Sequence, residues 1–407
     1  MQQGTCFVKV KKMIDIVKKE NCCGCSACAS ICPKQCISME CDSEGFLYPQ
    51  VNKTVCVSCG LCEKVCNELH PYEEHTPLKV LAAKNKNDSV RLRSSSGGIF
   101  HILAENIIEE GGVVFGARFD AEWQVVIDYA DTKEGIEAFM GSKYVQARIA
   151  DAYKDAKRFL SEGRKVMFSG TPCQIAGLHK FLRKKYENLL TVDFVCHGTP
   201  SPKVWNMYLR EELEKVKHIS CVGFRDKSNG WKNFCFVIRG NEGTDTVSVI
   251  SPFQQNPYMN VFLKNIILRP SCYSCNTRCG RSCSDITMAD FWGIDKLVLN
   301  MDDDKGTSMV FINTPKGENA FVYEKCNYVE TAYDNVLPLN PACRISPKKN
   351  PKRDYFFSQL ESMNLIDLMK ECSKPSRQER YKILKKNVKL AIKKILGIAP
   401  RMNGGGK

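Results

Sequence analysis

Two cysteine runs with the same spacing constrain this chain more than any other feature of its sequence. Both follow the pattern C-x2-C-x2-C-x3-C, first at Cys22, Cys25, Cys28 and Cys32, then at Cys56, Cys59, Cys62 and Cys66. Three thiolates on one tight loop can each bind a different iron of a [4Fe–4S] cluster, and in two-cluster ferredoxins the fourth cysteine crosses to the other cluster. The spacing therefore predicts two [4Fe–4S] sites, one on Cys22, Cys25, Cys28 and Cys66 and one on Cys56, Cys59, Cys62 and Cys32.

The residues around the runs leave this prediction unchanged. Pro33 follows the first run but Asn67 follows the second, and proline at that position donates no ligand. The alternative is a pair of zinc ribbons, which have C-x2-C pairs far apart rather than four crowded cysteines. Cys23, Cys36 and Cys41 are surplus, and we interpret them as small buried hydrophobic residues.

Cysteine is also abundant in the rest of the chain, with 23 in 407 residues. A reducing compartment keeps thiols free, so this count predicts metal sites rather than disulfides. The odd number, and the lack of an apolar stretch ending at a cleavage site near the start, argue against a secreted scaffold. We therefore expect a cytoplasmic protein, and no stretch approaches the ~20 apolar residues of a membrane span.

The net charge of +14 is concentrated near the end of the sequence. Residues 376–407 contain ten Lys and Arg against one Glu, and Leu384, Val388 and Ile395 recur there at helical spacing. This pattern predicts a basic amphipathic helix. Such a helix could lie peripherally on the inner face of a membrane, dock on a partner or pack on its own domain. We expect no nucleic-acid binding, because no recognition fold accompanies the charge.

The segments between the cysteine runs and the basic tail alternate between strand-like and helix-like patterns. They predict an α+β fold, with an α/β-like catalytic body on a mixed sheet, preceded by a small two-cluster ferredoxin-type domain. The predicted divisions are 1–75 for the ferredoxin domain, 76–165 and 166–350 for the two parts of the body, and 351–407 for the tail.

Two predicted strands of the body end in loops that carry chemistry. Lys165–Phe168 leads into Gly170-Thr171-Pro172-Cys173-Gln174, and Leu190–Phe194 leads into Cys196-His197-Gly198. Cys173 and Cys196 could therefore face one crevice and, with Cys272 and Cys275, hold a third cluster.

Other functions remain open for the same body residues. Cys272 and Cys275 could form a redox dithiol, or a zinc site completed by Cys279 and Cys283. Cys173 could also be a nucleophile with His197 as its base. The run of serine and glycine before the predicted helix Gly98–Glu110 suits an anion such as phosphate, although a plain serine N-cap is the alternative.

Six segments of the body occur in a fixed order: RSSSGGIF (93–100), GSKYVQ (141–146), FSGTPCQIAGL (168–178), DFVCHGTPSP (193–202), RPSCYSC (269–275) and SDITMADFWG (284–293). Together they resemble the coenzyme F420 hydrogenase/dehydrogenase beta-subunit family. More narrowly, they resemble its bacterial branch with a fused N-terminal two-cluster ferredoxin. The resemblance covers roughly residues 10–345.

The resemblance implies that FAD and a third [4Fe–4S] cluster lie in the body. The implied cofactor-binding residues are Ser95, Ser96, Gly97, Gly98, Lys143, Tyr144, Thr171, Pro172, Gln174, Asp285 and Asp290. The implied cluster ligands are Cys173, Cys196, Cys272 and Cys275, although Cys279 and Cys283 are additions to the family pattern. Lys143 and His197 are the expected proton donors or flavin-tuning charges, with a structural His197 as the alternative.

We therefore expect a cytoplasmic iron–sulfur flavoprotein oxidoreductase of an anaerobe. It would pass electrons between a hydride carrier or organic substrate at FAD, such as coenzyme F420, and its clusters. Its partner would be a ferredoxin or another redox protein. The alternatives are a non-catalytic electron-transfer subunit of a larger complex, and a reductase acting on a sugar or cell-surface precursor.

Overall fold

The computed structural model describes residues 13–213, 216, 218–242 and 245–375, and four further positions, 380, 381, 385 and 388. Most of the predicted amphipathic helix at 376–407 therefore lies outside the described residues. None of the described helices is long and apolar enough to cross a membrane.

The described residues form a mixed α/β structure. The strands are β1 (Ile37–Cys41), β2 (Leu47–Val51), β3 (Lys79–Asn85), β4 (Val113–Phe119), β5 (Val125–Ala130), β6 (Val166–Ser169), β7 (Leu189–Phe194), β8 (His218–Asp226), β9 (Cys235–Glu242), β10 (Asp245–Pro252), β11 (Ile286–Asp290), β12 (Ser308–Ile312) and β13 (Cys326–Thr331). The helices are α1 (Ala27–Ile31), α2 (Leu61–Lys64), α3 (Asp88–Arg93), α4 (Ile99–Glu109), α5 (Lys133–Ile136), α6 (Ala152–Ser161), α7 (Pro172–Leu182), α8 (Pro202–Leu213), α9 (Pro257–Leu263), α10 (Pro315–Ala320), α11 (Tyr333–Val336), α12 (Arg353–Gln359) and α13 (Leu365–Ser373).

An eight-stranded mixed sheet forms the centre of the body, as predicted from the sequence. Its spatial order is β13-β3-β12-β11-β7-β6-β4-β5. The four strands β11, β7, β6 and β4 are parallel, and antiparallel strands flank them on both sides. Since ligands bind beyond the carboxyl ends of parallel strands in such sheets, the loops that follow β6 and β7 occupy the expected position for a site.

The sequence of the parallel strands explains their central place. Val166, Met167 and Phe168 of β6 are fully buried, and Leu189–Val192 of β7 are buried as a continuous run. A strand covered on both faces has such a continuous run instead of an alternating pattern. The strands predicted at Lys165–Phe168 and Leu190–Phe194 and the helix predicted at Gly98–Glu110 are confirmed to within one residue at each end.

A second, three-stranded antiparallel sheet has the order β10-β9-β8. It shares an aromatic core with α8, α9, α12 and α13, in which Trp205, Tyr208, Phe236 and Tyr258 are at most 1% exposed. Residues of α12 and α13, including Phe356 and Leu368, belong to this core.

The N-terminal cysteine runs lie on a small unit made of α1, α2 and the β1–β2 hairpin. Its Ala27 and Val65 are buried in the body core with residues of α6 and α7. Gly177 of α7 makes this contact possible, because an added Cβ there would lie 3.1 Å from Cys25 Sγ and 2.8 Å from Tyr153 Oη. The cysteine-rich unit therefore packs directly on the helix that begins beside Cys173.

Candidate redox site

The second cysteine run and Cys32 surround a small cavity that we call the outer site. Its wall includes the thiols of Cys32, Cys36, Cys56, Cys59 and Cys62. Cys59 is exposed, and Cys36 Sγ lies 3.4 Å from Cys32 Sγ. Cys36, which is surplus to the two runs in the sequence, is therefore part of this cavity wall.

The first cysteine run and Cys66 form what we call the inner site, made of Cys22, Cys25, Cys28 and Cys66. Burial raises the pKa of Cys28, and the nearby thiols of Cys22 and Cys66 raise it further. Burial also raises the pKa of Cys66, again with a contribution from Cys22. Cys32 lies beside cysteines of the second run and Cys66 beside Cys22 of the first; the exchange of cluster ligands between the runs remains a prediction of the spacing.

Four cysteines of the body line a third cavity of about 70 Å³, which we call the body site: Cys173, Cys196, Cys272 and Cys275. Cys173 lies in the first turn of α7, Cys196 follows β7, and Cys272 belongs to a 3-10 turn at Pro270–Ser274. Burial raises the pKa of Cys272 to about 11. Burial and then the neighbouring Cys272 thiol raise the pKa of Cys196. Distant parts of the sequence thus bring their thiols to one place.

The two additional cysteines of the third run differ in position. Cys279 lies on the wall of the body cavity, whereas Cys283 does not. Among the described residues, no three His, Cys, Asp or Glu side chains converge tightly enough to hold a single metal ion. The thiols of the outer and body sites are arranged around cavities. Thiolates that bind different irons of one cluster need such an arrangement.

The sites adjoin one another. Cys28 of the inner site lies close enough to Cys62 of the outer site for the two charges to interact. Cys23 lies on the wall of the body cavity, where its thiol meets those of Cys173 and Cys25. The body site therefore contacts the inner site, and the inner site contacts the outer site.

On its other side the body site adjoins a larger cavity, a crevice of about 580 Å³. Both cavities share the wall formed by Phe194, Val195, Cys196, Gly198, Thr199 and Ala342. This volume lies within the usual range for small-molecule sites, about 300–1,000 Å³.

The crevice has an aromatic and a cationic side. Arg225 forms a buried ion pair with Asp290 (2.6 Å), and its guanidinium lies 4.1 Å from the ring centre of Phe234. Its Nε is buried without a hydrogen-bond partner among the described residues. Trp292 lines the same cavity and stacks on Trp231 with ring centres 4.2 Å apart. The crevice thus offers flat apolar surfaces next to a free donor.

Two of the predicted site residues have side-chain pKa values that burial lowers. Lys143 Nζ donates to the carbonyls of Ala138 and Met140, both at 2.8 Å, and burial of the ammonium lowers its pKa to about 7. His197 Nε2 lies 2.7 Å from Asn265 Oδ1, and burial lowers its pKa. Both residues line the crevice, and the pKa of Lys143 suits proton exchange near neutral pH.

The structure brings most of the residues implied by the resemblance to this crevice: Ser95, Ser96, Gly98, Lys143, Tyr144, Thr171, Gln174, His197 and Asp290. Pro172 lines the body cavity instead. Gly97 packs against the sheet, where its amide donates to Ser308 Oγ at 3.0 Å. Asp285 is buried and accepts hydrogen bonds from Thr191 and Thr314, so it ties β7 to the segment after β12.

Sequence reasoning missed three residues that shape these sites: Arg225, Trp292 and Cys23. Arg225 belongs to β8, and nothing in its spacing links it to Asp290. Trp292 stands in the quoted segment SDITMADFWG, two residues after Asp290. This position was the one sequence signal that could have identified a missed residue.

Residues 163–334 match a family model that describes the C terminus of the coenzyme F420 hydrogenase/dehydrogenase beta subunit. This match supports the family expected from the body motifs, and with it a redox function at a general level. The match begins within the body, so the fused ferredoxin domain at 1–75 and the bacterial branch remain predictions.

Comparison with solved structures finds a chain of the F420-reducing [NiFe] hydrogenase complex from Methanosarcina barkeri. It has 18% sequence identity and a TM-score of 0.43, covering 77% of this chain and 93% of that chain. No curated protein sequence matches this chain.

Proposed function

We propose that this chain is an iron–sulfur flavoprotein oxidoreductase that passes electrons between a hydride carrier and a redox partner protein. The observation that carries the proposal is the continuous order of sites: crevice, body site, inner site and outer site. Each shares a wall or a thiol contact with the next. In this proposal the crevice binds FAD, and each thiol site holds a [4Fe–4S] cluster.

The N-terminus of α4 is the proposed place for the FAD pyrophosphate. Gly98, Ile99 and Phe100 line the crevice, and the N-cap Gly98 (φ 80°) provides no side-chain cap. Among the described residues no side chain caps the first-turn amides of this helix, which are therefore available to an anion. By contrast, α7 is capped by its own residues, since Thr171 and Gln174 form a reciprocal capping box.

The remaining crevice residues fit the flat ring of a flavin. The half-exposed Trp292 offers an apolar face, and the unpartnered Arg225 Nε offers a donor to a ring oxygen or nitrogen. A bound flavin can take up a hydride and release single electrons, which is the chemistry a chain of clusters needs at one end. Lys143 is the proposed proton donor, because its pKa of about 7 lets it hold or release a proton.

The cysteines keep the roles that the two runs and the resemblance imply. Cys22, Cys25, Cys28 and Cys66 would hold the inner cluster, Cys32, Cys56, Cys59 and Cys62 the outer cluster, and Cys173, Cys196, Cys272 and Cys275 the body cluster. The exposed Cys59 makes the outer site the proposed point of exchange with a ferredoxin-like partner. Coenzyme F420 is the first hydride carrier to test, in a cytoplasmic setting of an anaerobe.

The composition of anaerobically purified protein tests this proposal. We expect about twelve irons and an equal amount of sulfide per chain, as three cubanes require, together with one FAD. Bound FAD should then bleach on addition of reduced F420, NADH or NADPH. About eight irons without flavin would leave only the ferredoxin unit and would contradict the function proposed for the body.

A further inference from the structure

Arg269 is a fully buried cation at the contact between the cysteine-rich unit and the body. Its side chain is 0% exposed. Nε donates to the carbonyl of Cys22 (2.8 Å), Nη2 to the carbonyl of Leu47 (2.9 Å) and Nη1 to Gln146 Oε1 (3.1 Å). All of these acceptors are neutral, so the hydrogen bonds orient the guanidinium without cancelling its charge.

Other buried arginines of the described residues are neutralised by carboxylates. The pairs are Arg91 with Asp303, Arg225 with Asp290 and Arg353 with Glu44. Arg269 and Arg278 are the buried arginines of this part of the chain that form no such pair. An unpaired buried charge is costly, and proteins keep one where an opposite charge compensates it.

The two arginines without an ion pair both lie beside thiols, and the carboxyl of Glu68 interacts with Arg269 only beyond ion-pair distance. Arg278 lines the body cavity itself. Arg269 binds the Cys22 carbonyl on one side, and its own carbonyl accepts from the amide of Cys272 at 3.0 Å on the other. Arg269 therefore stands between a cysteine of the inner site and a cysteine of the body site.

Close packing fixes this position. The guanidinium lies 4.3 Å from the ring centre of Tyr48. A Cβ on Gly24, whose φ is +71°, would lie 2.8 Å from Arg269 Nη1. Glycine at position 24 thus lets the first cysteine loop close around the charged group.

We propose that Arg269 is the counter-charge shared by the inner and body sites, and that it raises the reduction potentials of both clusters above their values without it. This inference rests on the clusters of the proposed function. Each reduction adds one electron to a cluster, with no bond made or broken and no proton taken up. A fixed cation nearby stabilises the added negative charge. Because the cation is buried, solvent screens this interaction little.

The direct test is an anaerobic redox titration of the iron-loaded full chain, followed by electron paramagnetic resonance. In Arg269→Gln we expect the inner and body signals to appear at lower potential. A tenfold change in the reduced-to-oxidised ratio corresponds to about 59 mV for one electron, and we expect at least that shift. Arg269→Lys keeps the charge and should remain nearer to the wild type.

A second variant adds a charge without removing the arginine. Gln146→Glu places a carboxylate where Gln146 Oε1 now accepts from Arg269 Nη1, and should lower the same two potentials. It also loses the hydrogen bond that Gln146 Nε2 donates to the Cys23 carbonyl (3.2 Å). Gln146→Leu loses that bond without adding charge, so it is the matched control.

The double variant Arg353→Gln/Glu44→Gln controls for the loss of a buried arginine between the same two regions, because it removes both charges of an ion pair. Arg353 joins Glu44 to the carbonyl of Leu268, but its charge is already neutralised by Glu44. We expect unchanged inner and body potentials in this variant.

Unchanged potentials in both Arg269→Gln and Gln146→Glu, at wild-type iron content, would overturn the role of Arg269 and leave the proposed function intact. A wild-type chain that binds no iron would instead contradict the proposed function itself. If Arg269→Gln loses its clusters, the comparison of Gln146→Glu with Gln146→Leu decides the question.

Discussion

The inner and outer sites are built from the same cysteine spacing, yet they lie in opposite environments. The inner site packs against α7, where Gly177 leaves room for Cys25 and no more. The outer site faces solvent, with Cys59 exposed and Val55 and Val57 45% and 58% exposed beside it. One motif therefore supplies two sets of thiols, and docking on the body decides which set is buried against α7 and which is exposed to solvent.

This difference gives the two sites different functions in the proposed route. The inner site can exchange electrons with the body site over short contacts through Cys23. The outer site can exchange electrons with a protein outside. Four predictions test this division, from the largest expected effect to the smallest.

The first prediction compares one cysteine from each site. Cys25→Ala should remove the inner cluster and also cut the route, so that reduced flavin no longer reduces the outer cluster. Cys59→Ala should remove the outer cluster only, while the body and inner clusters still fill with electrons. Each variant should lose about four irons per chain, and paramagnetic resonance after addition of a hydride donor separates the two results. Equal behaviour of the two variants would show that the sites are not in sequence.

The second prediction concerns the contact between the inner site and α7. Gly177→Val forces a branched side chain against Cys25 and Tyr153, which should cost about 1–3 kcal/mol as overpacking. It should also lower the iron content of the inner site. Lys157→Val, on the exposed face of α6, makes a similar helix substitution without that clash and should keep all the iron. Thermal unfolding and iron analysis of both variants measure the difference.

The third prediction uses metal removal. An iron chelator under mild oxidation should take iron from the outer site first, because Cys59 is exposed whereas Cys22 is buried. Iron loss should therefore occur in two phases, with the outer resonance signal disappearing in the faster one. A single phase, or loss of the inner signal first, would contradict the assignment of the exposed face to the outer cluster.

The fourth prediction is a small pH dependence of the free energy of unfolding that arises from Lys143 in the body. The pKa of Lys143 is about 7 in the folded chain because burial disfavours its charge, against about 10.4 when unfolded. Between these values the unfolded state binds more protons, so this group makes the free energy of unfolding rise with pH. Lys143→Met should flatten that rise between about pH 7 and 10, as measured by denaturant unfolding. Iron at the outer site should not respond to this substitution.

The spacing of the cysteine runs predicts which thiols share a cluster, because the geometry of a cluster dictates that spacing, and these ligand sets stay a prediction. Periodicity likewise predicted the buried strands β6 and β7 and the helix α4, since their apolar patterns are strong. Both kinds of inference depend on residues that are close in sequence.

Other features depend on contacts between distant residues, and spacing carries no sign of them. The ion pair of Arg225 with Asp290 joins residues 65 positions apart, and the Cys36 thiol became part of the outer cavity only through folding. Asp285 is another example. The family resemblance implies that it binds a cofactor, but in the structure its carboxylate accepts hydrogen bonds from Thr191 and Thr314.

The order of the sites is tested most directly by following an electron through the loaded chain. A hydride donor that reduces the flavin should make the outer cluster paramagnetic in the wild type within the same experiment. In Cys25→Ala the flavin should still be reduced while the outer cluster stays oxidised. Reduction of the outer cluster at the wild-type rate in Cys25→Ala would contradict the proposed route.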